Sequence, residues 1–132
     1  MHVQHLSLTN FRNYARLELS LAPGTTLLYG ANAQGKTNLL EALYYLATAR
    51  SPYTTSDRQL IHWRAESDPI PFARLAAEVH ARQRSMPERL EITLMLERSA
   101  DGGQRFKKVI RLNGADKRVM DMVGIMSVVL FL

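Results

Sequence analysis

At 132 residues, 46% hydrophobic and 22% charged, the chain is long enough for one domain with a buried core and has an ordinary globular composition. The lack of cysteine excludes disulfides and cysteine-ligated zinc and fits a reducing cytoplasm; no apolar run has the length of a membrane span, and MHVQHLSLTN does not read as a secretory signal. Basic side chains outnumber acidic ones by 17 to 12, a net +5 that favours polyanions such as DNA, RNA or nucleotides, although the positive charges are spread along the chain.

Residues 3–8, VQHLSL, read as a strand followed by the loop TNFRNY. In ARLELSL (15–21), Leu17, Leu19 and Leu21 alternate with Arg16, Glu18 and Ser20, the period of a half-buried antiparallel strand. Pro23-Gly24 signals a turn, and TTLLYG (25–30) has the short apolar pattern of a strand buried on both faces. Gly35 to Ala49 predicts a helix, with Leu39, Leu40, Leu43 and Leu46 at helical spacing. Residues 50–71, with Pro52, Pro69 and Pro71, read as loop with one helical turn around DRQLIHW. FARLAAEVHAR (72–82) and RLEITLMLERS (89–99) predict two strands, Ala100 to Gly103 a hairpin turn, and QRFKKVIRLNG (104–114) the returning strand, with Asn113-Gly114 as a second turn. KRVMDMVGIM reads as a short helix, and SVVLFL as a core strand, an ending that predicts a fragment of a longer protein. The order predicts an α/β domain spanning 1–132 with a mixed sheet and an antiparallel portion, rather than an alternating βαβ array.

The segment GANAQGKT, Gly30 to Thr37, fits the phosphate-loop pattern at every fixed position, between a predicted strand and a predicted helix. Each residue type answers a physical need. Gly30 lets the chain turn off the strand, and Gly35 lets the backbone curl without a Cβ in the way. The N–H groups of Ala31, Asn32, Ala33, Gln34, Gly35, Lys36 and Thr37 can then form an anion nest at the positive end of the helix. Lys36 supplies charge for the β- and γ-phosphates, and the Thr37 hydroxyl is placed to ligate Mg²⁺. The pattern predicts nucleotide binding. Hydrolysis needs more: an acid at a strand end for the metal and a group that orients water. No segment reads as an apolar run closed by Asp or Asp-Glu; Glu97 after ITLML comes nearest and reads as strand surface. No catalytic residue is therefore assigned within these residues.

LSLTNFRNYARLEL, LLYGANAQGKTNLLEALYYLATARS, DRQLIHW and VVLF occur in the order seen in the RecF family, and the chain resembles the N-terminal part of that family, related to the structural-maintenance-of-chromosomes and Rad-type ATPases. NFRNY and GANAQGKTNLLEA carry most of the resemblance, and residues 65–110 mainly their strand pattern. The resemblance implies a P-loop NTPase fold, lobe I of an ABC-type ATPase head, with ATP and Mg²⁺ as cofactors. It implies a second lobe carrying the signature motif, the metal-side acid and the catalytic glutamate, and hence a slow ATPase as the whole protein. It further implies ATP-dependent homodimerisation on single-stranded, gapped or junction DNA, and work with RecR and RecO in recombinase loading, recombinational repair, replication and the SOS response in the cytoplasm, away from membranes. Carried onto this sequence, it assigns Gly30 to Thr37 to the phosphate loop, Asn38 to the start of the helix, and Arg12 and Asn13 to a position beside the nucleotide. Arg50-Ser51 and Asp57-Arg58 also match, whereas Pro52-Tyr53 replace the family's basic pattern.

Two other classes are weighed against this one: a small kinase or GTPase, for which neither a lid nor NKxD is visible, and a nucleotide-dependent interaction module without catalysis. Arg105, Lys107, Lys108, Arg111, Lys117 and Arg118 form a basic cluster that reads as a solvated strand face or a DNA-backbone contact. His2, His5, His62 and His80 lack metal-ligand spacing, and Trp63, Tyr44 and Tyr45 are expected to fill packing positions.

Overall fold

The computed structural model describes residues 1–30, 35–81 and 84–131. Six strands form one sheet: β1 (His2–Phe11), β2 (Tyr14–Ser20), β3 (Phe72–His80), β4 (Glu88–Arg98), β5 (Gln104–Leu112) and β6 (Ala115–Lys117), in the spatial order β2-β1-β3-β4-β5-β6. Helix α1 spans Lys36–Thr48 and the short α2 spans Val119–Met122; two 3₁₀ turns, Asp57–Leu60 and Trp63–Ser67, interrupt the long loop. Every pairing between these strands is antiparallel, so the antiparallel portion of the expected mixed sheet is what the described residues contain.

Register follows from the apolar alternation. Leu8, Leu75, Ile92 and Ile110 align across four strands and are all buried, as are Leu6, Ala77 and Leu90 in the next row. A one-residue slip would carry this whole set to the opposite face, so burial fixes the register. The opposite face carries His5, Glu18, Glu78, Arg89, Glu91, Lys107 and Arg111, and its charges pair in part with one another. Helix α1 covers the apolar face, and Met122 and Met126 close one side of the core. The turns use the expected chemistry. Asn113 (φ 53) and Gly114 (φ 84) take left-handed backbone between β5 and β6, and Asp101 Oδ1 accepts from the Gly103 N–H at 3.1 Å in the β4–β5 turn.

Two predicted core strands are not strands here. Residues 25–30 form no regular element and pair with none of the described strands, with Leu27 80% and Tyr29 87% exposed. Thr26 and Leu28, though exposed, line an apolar recess with Leu6, Leu19, Leu21, Leu39, Leu40 and Leu43. A strand in a sheet interior needs a hydrogen-bonded neighbour along each edge, and none of the described strands pairs with this segment. Residues 127–131 likewise stay unpaired, with Val129 and Phe131 exposed.

Within α1 the predicted stripe shifts. Leu39 and Leu46 are buried, but Leu40 is exposed and Leu43 only partly covered, because the sheet takes up Ala42, Tyr45 and Leu46, and Leu40 and Leu43 face the recess. Tyr45 is fully buried, whereas Trp63, expected in a packing position, is 68% exposed. The 3₁₀ turn carrying Trp63 buries Ala65 instead, leaving the indole between the His62 ring and the Arg64 guanidinium.

Candidate nucleotide-binding site

The site is built where the β1–β2 turn meets the start of α1. Arg12, at the tip of that turn, has a left-handed backbone (φ 51). The turn is stapled from outside, with the Arg12 N–H donating to the Leu60 carbonyl at 2.8 Å and the His62 N–H to the Asn10 carbonyl at 2.7 Å. Its side chains then grip α1 at three successive levels. The Tyr14 hydroxyl donates to the Gly35 carbonyl at 2.9 Å, and Asn38 Nδ2 donates to Asn13 Oδ1 at 2.9 Å. Arg12 Nε and Nη2 donate to the two oxygens of Glu41 at 2.8 and 3.0 Å. Gly35, Asn38 and Glu41 are three residues apart, so they lie along one side of the helix.

Gly35 is required here twice over. Its φ of 92° is left-handed, and a Cβ on it would stand 2.7 Å from Asn13 Nδ2 and 2.9 Å from the Tyr14 hydroxyl. Among the described residues the first bond of the helix runs from the Leu39 N–H to the Gly35 carbonyl at 2.9 Å, which leaves the N–H groups of residues 36–38 in its opening turn. No acidic residue lies in the first turn, and among the described residues no side chain caps it. The helix end therefore keeps its positive character, which suits an anion. Lys36 Nζ donates to the Gly30 carbonyl, drawing the two ends of the glycine-rich segment together, and Thr37 is exposed at the second position of the helix. Ala31, Asn32, Ala33 and Gln34 lie outside the described residues.

Beneath this surface the carboxylate of Glu41 is fully buried. Its partners are the Arg12 fork and the Ser51 hydroxyl, which donates at 2.6 Å. The bonds to Glu41 raise the Arg12 guanidinium above its usual pKa, against the opposing effect of burial. Arg12 and Asn13 thus stand at the start of α1, but the Arg12 side chain is directed at Glu41. Glu41 and Tyr14 were not singled out from the sequence, and Ser51 only as part of the Arg50-Ser51 match to the family. The available signal was a lone acid within the apolar run NLLEAL of the predicted helix.

The basic cluster does not form one surface. Lys108 turns to the helix side, where it donates to the Ala49 carbonyl at 2.7 Å and to Asp57 at 2.9 Å and lies over the Tyr45 ring. Asp57 also accepts from the Tyr45 hydroxyl at 2.9 Å, and burial with this neighbouring charge pushes the Tyr45 phenol well up. Lys107, Arg111 and Arg118 pair with Glu97, Asp116 and Asp121, and Arg58 donates to Gln104. Glu97 lies on the strand surface, as read from the sequence.

The sequence of residues 2–131 matches the RecF/RecN/SMC N terminal domain family. The chain belongs to that family. Among similar members are the DNA replication and repair proteins RecF of Chloroflexus aurantiacus, 51% identical over 99% of this chain and 34% of that protein, and of Roseiflexus castenholzii, 47% identical over 99% and 34%. A solved structure of the recombination mediator protein RecF-ATP in the RecFOR pathway superposes with a TM-score of 0.67 at 26% identity, covering 93% of this chain and 30% of that one. Its RecF-ATPrS counterpart gives 0.65 at 27% identity, covering 92% and 29%. The chain therefore spans about a third of the length of the RecF proteins it matches. Its fold is that of the RecF ATPase lobe, a P-loop fold of ABC type. No helix among the described residues of this RecF/RecN/SMC-family chain is long and apolar enough to cross a membrane.

Proposed function

We propose that residues 1–132 form the N-terminal ATP-binding lobe of a RecF-like DNA replication and repair protein. The observation that carries this reading is the grip of the β1–β2 turn on Gly35 and Asn38. It shapes a helix start that carries a lysine and no acidic residue in its first turn, at the end of a full phosphate-loop sequence. Gly30, the segment Ala31 to Gln34, Gly35, Lys36, Thr37 and Asn38 would hold the nucleotide phosphates, and the Thr37 hydroxyl would ligate Mg²⁺. Bound Mg²⁺ would neutralise phosphate charge. The chain's own part is to orient the phosphates and supply backbone N–H groups and the Lys36 ammonium.

In the whole protein this lobe would serve ATP-dependent homodimerisation on single-stranded, gapped or junction DNA, slow ATP hydrolysis completed by a second lobe, and recombinase loading with RecR and RecO in the cytoplasm. The similarity to RecF proteins over 99% of the chain supports this wider role. The test is ATP binding by calorimetry with wild type and Lys36→Ala. Wild type binds, and Lys36→Ala loses binding while keeping its circular dichroism spectrum; retained affinity in the variant refutes the assignment.

A further inference from the structure

We propose that Glu41 is a positioning residue for the nucleotide site, and that Arg12 acts through it rather than as a nucleotide ligand. This inference rests on the nucleotide-binding reading above. A carboxylate with no solvent contact is costly unless paired and hydrogen-bonded, and Glu41 achieves both through two parallel bonds from Arg12 and one from Ser51. The consequences fall on the turn. Arg12 holds a left-handed backbone that an arginine adopts only under constraint, and here both its N–H and its guanidinium are tied down. Asn13 and Tyr14 follow directly, and they reach Asn38 and Gly35. Fixing Arg12 on Glu41 therefore fixes where Asn13 and Tyr14 press on the first turn of α1, and with it the direction of the N–H groups at 36–38.

The same carboxylate reaches to the far end of α1. Ser51, which donates to Glu41, also accepts from the Tyr53 and Thr54 N–H groups at 3.0 and 3.2 Å. One buried acid thus joins the turn before the phosphate loop, the helix after it, and the loop that leaves that helix. A guanidinium engaged through two of its nitrogens cannot also present that edge to a phosphate.

A double-mutant cycle with Arg12→Met, Glu41→Gln and both changes tests the proposal, read by amide hydrogen exchange at 36–39 without nucleotide and by ATP affinity. Each single change is expected to speed exchange at 36–39, to leave exchange in β3 and β4 unaltered, and to weaken ATP binding about tenfold, with the double variant no worse than the weaker single. Were Arg12 a direct ligand, Glu41→Gln would release its guanidinium and leave ATP binding intact or tighter, and the Arg12→Met loss would persist in full beside it. That pattern, or unaltered exchange at 36–39 in both singles, overturns the proposal. If a variant does not fold, Arg12→Lys and Glu41→Asp, which keep the charges and break the fork, are judged by the same criteria. A wild-type chain that binds no ATP overturns the nucleotide reading instead, and exchange at 36–39 still decides the role of Glu41.

Discussion

Replacing Gly35 with alanine separates the two demands made on that residue. Left-handed backbone costs an alanine about 1 kcal/mol. The added Cβ would also stand 2.7 Å from Asn13 Nδ2, 2.9 Å from the Tyr14 hydroxyl and 3.0 Å from Asn13 Oδ1. Both side chains must shift, and the bonds they make to Asn38 and Gly35 are worth about 1 kcal/mol each. The expected loss is about 3 kcal/mol, a large share of the roughly 5–15 kcal/mol of a typical domain. Gly114→Ala supplies the control, since Gly114 has a similar φ of 84° and nothing within 4 Å of a Cβ. It should cost only the backbone strain, about 1 kcal/mol. Urea denaturation of the two variants measures the difference, and equal losses, within about 0.5 kcal/mol, would refute the contact argument. Adding Asn13→Ala to Gly35→Ala makes room for the methyl, so the double variant should lose less than the sum of the singles.

Leu75→Ala, in the centre of the sheet and fully buried, should cost about 3 kcal/mol in the same assay; a loss under about 1 kcal/mol would mean that this row is not packed as described. Lys108→Met leaves the Ala49 carbonyl and the Asp57 carboxylate without their ammonium and should destabilise by about 2 kcal/mol, whereas an unchanged midpoint would make the contact incidental. Hydrogen bonds from His5 and Ser7 hold the Glu18 carboxyl below its usual pKa. A depressed folded value means that this stabilisation is complete above the usual carboxylate range and is lost as pH falls through the folded value. The melting temperature of Glu18→Gln should therefore fall less than that of wild type between about pH 5 and pH 3, and parallel profiles would refute the contact. Trp63 is the sole tryptophan and is exposed, so its fluorescence should resemble that of indole in water and be quenched by iodide; a blue-shifted, protected emission would place it in a core.

Much of the fold was legible because its signals are local. The leucine alternation in 15–21, the glycine turn at 100–103 and the helix from Gly35 to Ala49 all matched observed elements, since strand period, turn backbone and helix period are properties of short stretches. TTLLYG and SVVLF failed for the complementary reason. Apolar composition marks a segment that wants neighbours, but ladder hydrogen bonds depend on which strands stand beside it. Trp63 failed similarly, because hydrophobicity says nothing about which side of a short 3₁₀ turn meets the core.

At the candidate nucleotide site the division is sharper. The sequence by itself determined the chemistry: two glycines, a lysine and a threonine at phosphate-loop spacing ahead of a helix. Those requirements lie within eight contiguous residues, so spacing alone exposes them. Tertiary structure decided what holds that chemistry in place. Arg12 and Glu41 are 29 residues apart, and only the packing of the β1–β2 turn on α1 brings guanidinium and carboxylate together in the interior. A buried charge must find its partner wherever the fold supplies one, and that partner cannot be read from sequence neighbours.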